Sequence, residues 1–121
     1  MNMWLFTRYG FYSIACADKR DGSLDPDTVM VRARHMAHLD NLRKRFLGLA
    51  DAGILTLPDR DYRYRIIVPK KAWVGVVAEM AEEQEWSNFK QQVAEHQGKR
   101  GTAYTNALHD VWEIMHRLQQ S

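Results

Sequence analysis

Hydrophobic and polar residues alternate with the period of a β-strand in three segments of the chain. Residues 3–17 are rich in aromatic and β-branched side chains, and residues 28–34 place Val29, Val31 and Ala33 alternately with Met30, Arg32 and Arg34. Residues 62–68 begin with alternating tyrosine and arginine. These patterns are typical of strands. The segment DKRDGSLDPD (18–27) between the first two has the composition of a turn, so we expect those two strands to form an antiparallel hairpin.

Four other segments change to helical spacing. The first begins near Met36, the second follows Pro69, and Ser87 and Thr102 are predicted as N-caps of the third and fourth. The last helix is predicted most clearly, because its apolar residues form one stripe: Tyr104, Ala107, Leu108, Val111, Trp112, Met115 and Leu118. We expect Trp112 on this stripe, like Trp73 on the second helix, to lie in the core.

The order strand, strand, helix, strand, helices predicts a single α+β domain over residues 1–121. The expected sheet is small and mostly antiparallel, with three to four strands in a ferredoxin-like or related arrangement. A short extended piece at 54–57 is also indicated. Helices pack on one face and form the C-terminus, so the opposite face of the sheet is left to water or to a partner.

Arginines recur on one side of the predicted strands. Strict alternation places Trp4, Phe6, Arg8 and Tyr12 on one face of the first strand. If the strands are adjacent in register, the predicted binding residues are Arg8, Tyr12, Arg32, Arg34, Arg63 and Arg65. Guanidinium groups bind phosphate or carboxylate at two points, and neighbouring aromatic rings stack on bases. The alternative is that these arginines only solvate an outer face. Trp4 and Trp86 are candidates for a protein interface.

The charge is uneven along the chain. Residues 1–71 carry thirteen Lys or Arg and eight Asp, whereas residues 72–121 carry four Lys or Arg and seven acidic residues. A basic first half favours nucleic acid or an acidic protein surface as a partner. The alternative is that the two halves pair with each other.

Residues with catalytic or metal-binding chemistry are few. His35 and His38 lie three apart and His109 and His116 seven apart, but a metal site needs three or four converging ligands. We therefore predict no metal, no cofactor and no assigned catalytic residue. The single Cys16 is expected to be structural, which favours a reducing compartment. Without a long apolar run or a signal peptide, the sequence predicts a cytoplasmic protein that does not enter a membrane.

Several segments together resemble a known group of proteins. MWLFTRYGFYSI, TVMVRAR, DYRYRIIVP and WSNFK are similar to segments of a family of small uncharacterised bacterial proteins with a WLFT-x-x-GF[FY]S start, a YRYR strand and a [YW]SNFK helix start. The resemblance spans nearly the full chain. It implies a single domain in the bacterial cytoplasm, and it implies no activity and no site residue.

Two functions from different classes follow from these patterns. The first is a non-catalytic binding module that uses its basic and aromatic sheet face. Its partner is a nucleic acid, a protein of a nucleic-acid-handling complex or a second copy of this chain. In such a complex, the protein acts as an inhibitor or an accessory subunit. The second is a small enzyme such as a nuclease, with His35 or His38 acting as a general base beside the arginine cluster.

Overall fold

The computed structural model describes residues 2–120, and within them the chain forms two compact units. The first contains the chain up to Phe6 together with Gly10–Gln84. The second contains the turn Thr7–Tyr9 and the chain from Glu85 onward.

A five-stranded antiparallel sheet dominates the first unit. Its strands are β1 (Met3–Thr7), β2 (Gly10–Asp18), β3 (Leu24–Ala33), β4 (Leu55–Thr56) and β5 (Tyr64–Pro69), and their order is β1-β2-β3-β5-β4. Two helices, α1 (Met36–Arg45) and α2 (Lys70–Glu82), pack on it, and a single 3-10 turn spans Leu47–Leu49. The α+β class is confirmed, with a slightly larger sheet than the three to four strands expected.

Residues 3–17 form two strands, so the prediction of one long first strand is wrong. The chain reverses at Arg8 and Tyr9 and re-enters the sheet at Gly10, whose φ of 155° is rarely adopted by other residues. This glycine is needed for a second reason, because a side chain there would occupy the space of the His38 ring. The reversal restarts the alternation of faces after Tyr9.

The core of the first unit lies between the sheet and its two helices. From the sheet come buried residues of alternate positions on the three central strands: Tyr12, Ile14, Val29, Val31, Ile66 and Val68. Leu39 and Leu42 of α1 and Trp73 and Val76 of α2 are buried with them, which confirms the prediction for Trp73. Each such side chain contributes roughly 1.5–3 kcal/mol by its removal from water. We call this the covered face of the sheet.

The second unit is helical. It contains α3 (Phe89–Gln97), a 3-10 turn over Gly98–Gly101 and α4 (Thr102–Gln120). Asn88 caps α3, its side-chain oxygen accepting a hydrogen bond from the backbone N–H of Gln91 at 3.0 Å, so the cap lies one residue beyond the predicted Ser87. The Tyr104 hydroxyl donates to the Thr7 carbonyl at 2.7 Å, and burial raises the pKa of Tyr104.

The apolar stripe of α4 is buried only in its first half. Tyr104 and Leu108 are buried, whereas Trp112 is 51% exposed. The prediction that Trp112 lies in the core is therefore wrong. Within residues 2–120, no helix combines the length and the apolar character that crossing a membrane requires.

Candidate functional site

Two arginines face each other across neighbouring strands. In the antiparallel pairing of β3 with β5, Arg32 is directly opposite Arg65, so both side chains project from the same side of the sheet. Arg32 donates from Nε to the Ser13 carbonyl at 3.3 Å and from a terminal nitrogen to the Ser13 hydroxyl at 2.8 Å. These bonds fix its guanidinium over β2 and leave the second terminal nitrogen for another acceptor.

A buried tyrosine ring supports the arginines. Tyr62 is 5% exposed, and the guanidinium carbons of Arg32 and Arg34 lie 5.0 Å and 4.4 Å from the centre of its ring. Arg65 donates to the Tyr62 carbonyl at 3.2 Å. Arg34 also forms an ion pair with Asp61 at 3.0 Å, so its charge is compensated. We call Arg32, Arg34, Tyr62 and Arg65 the arginine cluster.

Unlike the charge of Arg34, the charges of Arg32 and Arg65 are not compensated by an ion pair with a carboxylate of the described chain. Among residues 2–120, neither has a carboxylate within ion-pairing distance. Nε of Arg65 is buried and makes no hydrogen bond within that range. The pKa of Arg65 is lowered first by burial and then by the charges of Arg32 and Arg60. The guanidinium remains protonated, so Arg32 and Arg65 place two positive charges on one side of the sheet with no ion-paired carboxylate of their own in residues 2–120.

Three aromatic rings lie on the same side of the sheet as the arginine cluster, nearer to the edge strand β1. Phe6 stacks on Phe11 with ring centres 4.6 Å apart, and Trp4 meets Phe11 edge-on at 5.8 Å. Phe11 reaches Tyr62 at 6.3 Å, which links these rings to the arginine cluster. Trp4 is 62% exposed. We call Trp4, Phe6 and Phe11 the aromatic cluster.

The predicted binding residues are only partly brought together. Arg32, Arg34 and Arg65 form the arginine cluster, whereas Arg63 is exposed and precedes β5. Tyr12 is wrongly predicted: it lies on the covered face with 0% exposure, and its hydroxyl donates to the His38 carbonyl at 2.6 Å. The cause is the chain reversal at Arg8 and Tyr9, which exchanges the faces of the residues that follow.

Arg8 belongs to the second unit. Its guanidinium carbon lies 4.9 Å from the centre of the Trp86 ring and 5.3 Å from that of Tyr9. Trp86 is half-buried and carries this guanidinium on its face. Of the two tryptophans predicted for an interface, Trp4 is therefore the more exposed.

Sequence reasoning missed Phe11, Ser13 and Tyr62. Phe11 was assigned to the wrong face through the uninterrupted alternation assumed for residues 3–17. The signal that locates it is Gly10, which follows two residues in a turn and restarts the pattern. Tyr62 was predicted as the first residue of the strand over residues 62–68, whereas β5 begins two residues later at Tyr64, so the strand pattern did not indicate its position beside Arg32 and Arg34.

His38 is buried on the covered face. It is 7% exposed, and its Nδ1 accepts a hydrogen bond from the Phe11 N–H at 3.3 Å. Burial, with a smaller effect of the neighbouring His35, lowers the pKa of His38 to about 4. The ring is therefore neutral at pH 7, and it lies across the sheet from the arginine cluster. No three His, Cys, Asp or Glu residues converge as metal ligands anywhere in residues 2–120.

Comparison with known proteins gives no relative for this arrangement. No protein-family model matches the chain, and neither a curated protein nor a solved structure matches it.

Proposed function

We propose that this protein is a non-catalytic binding module whose arginine and aromatic clusters hold single-stranded nucleic acid. The single observation that carries the proposal is the directly opposed pair Arg32 and Arg65, which has no carboxylate partner among residues 2–120. Like charges directly opposite each other in a sheet are destabilising. A phosphate between the two guanidiniums converts this repulsion into two charge-assisted hydrogen bonds.

The aromatic cluster supports a single strand rather than a duplex. Bases of a single strand are free to stack on aromatic rings, and each stacked base contributes about 1–3 kcal/mol. Trp4 offers an exposed indole on the same side of the sheet as Arg32 and Arg65. The proposed arrangement places phosphates at the arginine cluster and a base against Trp4.

Binding of fluorescein-labelled single-stranded DNA and RNA of about a dozen nucleotides tests this proposal. We expect the double variant Arg32→Gln/Arg65→Gln to weaken binding at least tenfold and to reduce the slope of log K against log salt by about 1–2. Trp4→Ala should weaken binding about tenfold while leaving the salt slope unchanged, since stacking releases no counter-ions.

A matched control distinguishes this site from general attraction to a basic protein. Arg20→Gln removes the same charge from the exposed turn between β2 and β3, and we expect it to change affinity less than twofold. Equal losses in Arg20→Gln and Arg32→Gln would overturn the proposal, as would wild-type protein that binds neither oligonucleotide. Retention of an acidic protein instead of an oligonucleotide would also overturn it and would favour a protein partner.

The geometry gives the alternative of a nuclease no support. A base acting beside the arginine cluster must reach the same ligand, but His38 is buried on the covered face, where its Nδ1 accepts a hydrogen bond from the Phe11 N–H. His35 is exposed, and its ring meets that of His38 edge-on, with ring centres 5.4 Å apart. No contact of His35 with Arg32 or Arg65 supports a catalytic pair in residues 2–120. We therefore retain binding as the proposed function.

We place this function in the bacterial cytoplasm. Cys16 is a free cysteine, as is usual for proteins of a reducing compartment. A cytoplasmic location also gives the protein access to nucleic acid.

A further inference from the structure

Three consecutive residues at the start of β2 meet His38 of α1. Gly10 leaves open the space that the His38 ring occupies. Phe11 donates its backbone N–H to Nδ1 of the ring at 3.3 Å, and the Tyr12 hydroxyl donates to the His38 carbonyl at 2.6 Å. Since His38 is only 7% exposed, these contacts are shielded from water. His38 therefore fixes the position of the chain where β2 begins.

The hydrogen bond from Phe11 to His38 lies beyond the ladder between β2 and β3. The pairing of these strands begins at Ser13, opposite Arg32, so Phe11 is two residues before the first pair. Its N–H is bound by the imidazole rather than by a carbonyl of β3. Burial lowers the pKa of His38 to about 4, so the ring is neutral at pH 7. A neutral ring that accepts at Nδ1 carries its proton on Nε2.

The Phe11 ring lies on the other side of the sheet, within the proposed binding site. It stacks on Phe6, meets Trp4 edge-on and reaches Tyr62, which supports the arginine cluster. Phe11 therefore joins the two clusters. Its backbone is held by a residue of the covered face, whereas its side chain belongs to the opposite face.

We propose that His38 is a positioning residue of the binding site, which sets the place of the Phe11 ring by holding the Phe11 backbone. Without an acceptor at the position of Nδ1, the Phe11 N–H loses its partner, and a polar group left unpaired away from water is costly. The start of β2 then moves toward another acceptor and carries the ring with it. This role rests on the proposed function, whereas the hydrogen bond that performs it can be tested in the free protein.

Two substitutions of His38 separate the hydrogen bond from the packing of the ring. Oδ1 of asparagine is as many bonds from the backbone as Nδ1 of histidine, so His38→Asn retains an acceptor for the Phe11 N–H. His38→Leu fills a similar space and has no acceptor. With single-stranded DNA, we expect His38→Leu to weaken binding about fivefold through misplaced stacking, and His38→Asn to stay within about twofold of wild type. The slope of log K against log salt should not change in either variant, because no phosphate contact is lost.

Two further variants separate positioning from a general loss of stability. Val76→Ala removes a buried side chain of α2, which packs on β3 and β5, and should keep the affinity within about twofold of wild type. Circular dichroism identifies a temperature at which every variant is folded. In a Phe11→Leu background, His38→Leu should weaken binding by less than about twofold, because the ring through which His38 acts is already absent.

Nuclear magnetic resonance of the free protein tests the same hydrogen bond without a ligand. Long-range proton–nitrogen spectra at pH 7 should show Nδ1 of His38 without a proton. The indole N–H signal of Trp4 should shift in His38→Leu toward its position in Phe11→Leu. It should keep its wild-type position in His38→Asn and in Val76→Ala.

The proposal is overturned by a protonated Nδ1 or by a Trp4 signal that stays unchanged in His38→Leu. Equal losses of affinity in His38→Leu and His38→Asn would also overturn it, as would an equal loss in Val76→Ala. If wild type binds no oligonucleotide, the proposed function fails, and the spectra of the free protein still decide whether His38 positions Phe11.

Discussion

The two faces of the sheet satisfy their polar groups in different ways. On the covered face, the buried Tyr12 hydroxyl donates to the His38 carbonyl, and the neutral His38 ring accepts from the Phe11 N–H. On the other face, Arg32 and Arg65 lie opposite each other with no carboxylate beside them in the described chain, and Nε of Arg65 is buried without an acceptor there. The polar groups named on the first face have partners within the chain, whereas the second face carries two arginines with hydrogen bonds but no ion-paired carboxylate in residues 2–120.

Because the two faces differ in this way, substitutions on one face should mainly change stability and substitutions on the other should mainly change binding. Substitutions on the covered face remove packing and satisfied hydrogen bonds, so we expect large losses of stability. Substitutions of the opposed arginines remove repulsion as well as hydrogen bonds, so their net effect on stability is small. Under the proposed function, a bound phosphate supplies the negative charge that no carboxylate of residues 2–120 supplies to Arg32 and Arg65.

The largest expected effect is at Gly10 on the covered face. A β-carbon there would lie 2.5 Å from Cβ and 2.7 Å from Nδ1 of His38, and the φ of 155° disfavours any side chain. We expect Gly10→Ala to lower the free energy of unfolding by about 4 kcal/mol, from overpacking together with backbone strain. Urea denaturation followed by circular dichroism measures this loss.

Gly75→Ala is the matched control. Gly75 lies within α2, and a β-carbon there would have nothing within 4 Å. Because alanine favours a helix over glycine, this variant should gain up to about 1 kcal/mol. If Gly10→Ala were as stable as Gly75→Ala, the close contact between Gly10 and His38 would be contradicted.

The second effect is a loss of stability in acid from His38. Its pKa is lowered from 6.5 to about 4 in the folded protein, so between these values the unfolded chain binds the proton and the folded protein does not. Stability from this group is complete above about pH 6.5 and is lost as the pH falls toward 4. The shift corresponds to about 3 kcal/mol. Denaturation at several pH values from 7.5 to 4 measures the slope.

Replacing the buried His38 and, separately, an exposed histidine distinguishes this effect from general acid denaturation. His38→Gln should remove most of the slope between pH 6.5 and 4, whatever its effect on absolute stability. His109→Gln changes an exposed histidine of α4 and should retain the slope. An unchanged slope in His38→Gln would show that other groups cause the acid sensitivity.

Local patterns in the sequence predicted the fold class and most elements. The alternation in residues 62–68 and the turn-rich segment 18–27 correctly indicated β5 and the connection of β2 to β3. These predictions succeed because each depends on neighbouring residues only. The pairing of Arg32 with Arg65 follows from alternation together with the adjacency of β3 and β5, so this part of the candidate site was predictable once the sheet was assumed.

Non-local features were not predictable in the same way. Tyr12 was assigned to the arginine face because one turn at Arg8 and Tyr9 changes the face of every later residue in β2. Trp112 has a core residue's position in the helical pattern, but the pattern does not reveal how far other elements extend along α4. The first error follows from an unrecognised chain reversal, and the second depends on tertiary packing.

The smallest expected effect tests the opposed arginines most directly. A double-mutant cycle of Arg32→Gln and Arg65→Gln measures their coupling in the free protein, where we expect a net repulsion of about 0.5 kcal/mol. Raising the salt concentration from 50 to 500 mM should reduce it, since added ions screen like charges. In the presence of a saturating single-stranded oligonucleotide, the coupling should change sign, because both guanidiniums then share one phosphate.

The control cycle of Arg20→Gln with Arg65→Gln should give no coupling in either condition, since Arg20 lies in the exposed turn between β2 and β3. An attractive coupling between Arg32 and Arg65 in the free protein would mean that the chain already compensates their charges, and the contrast between the two faces would then be lost.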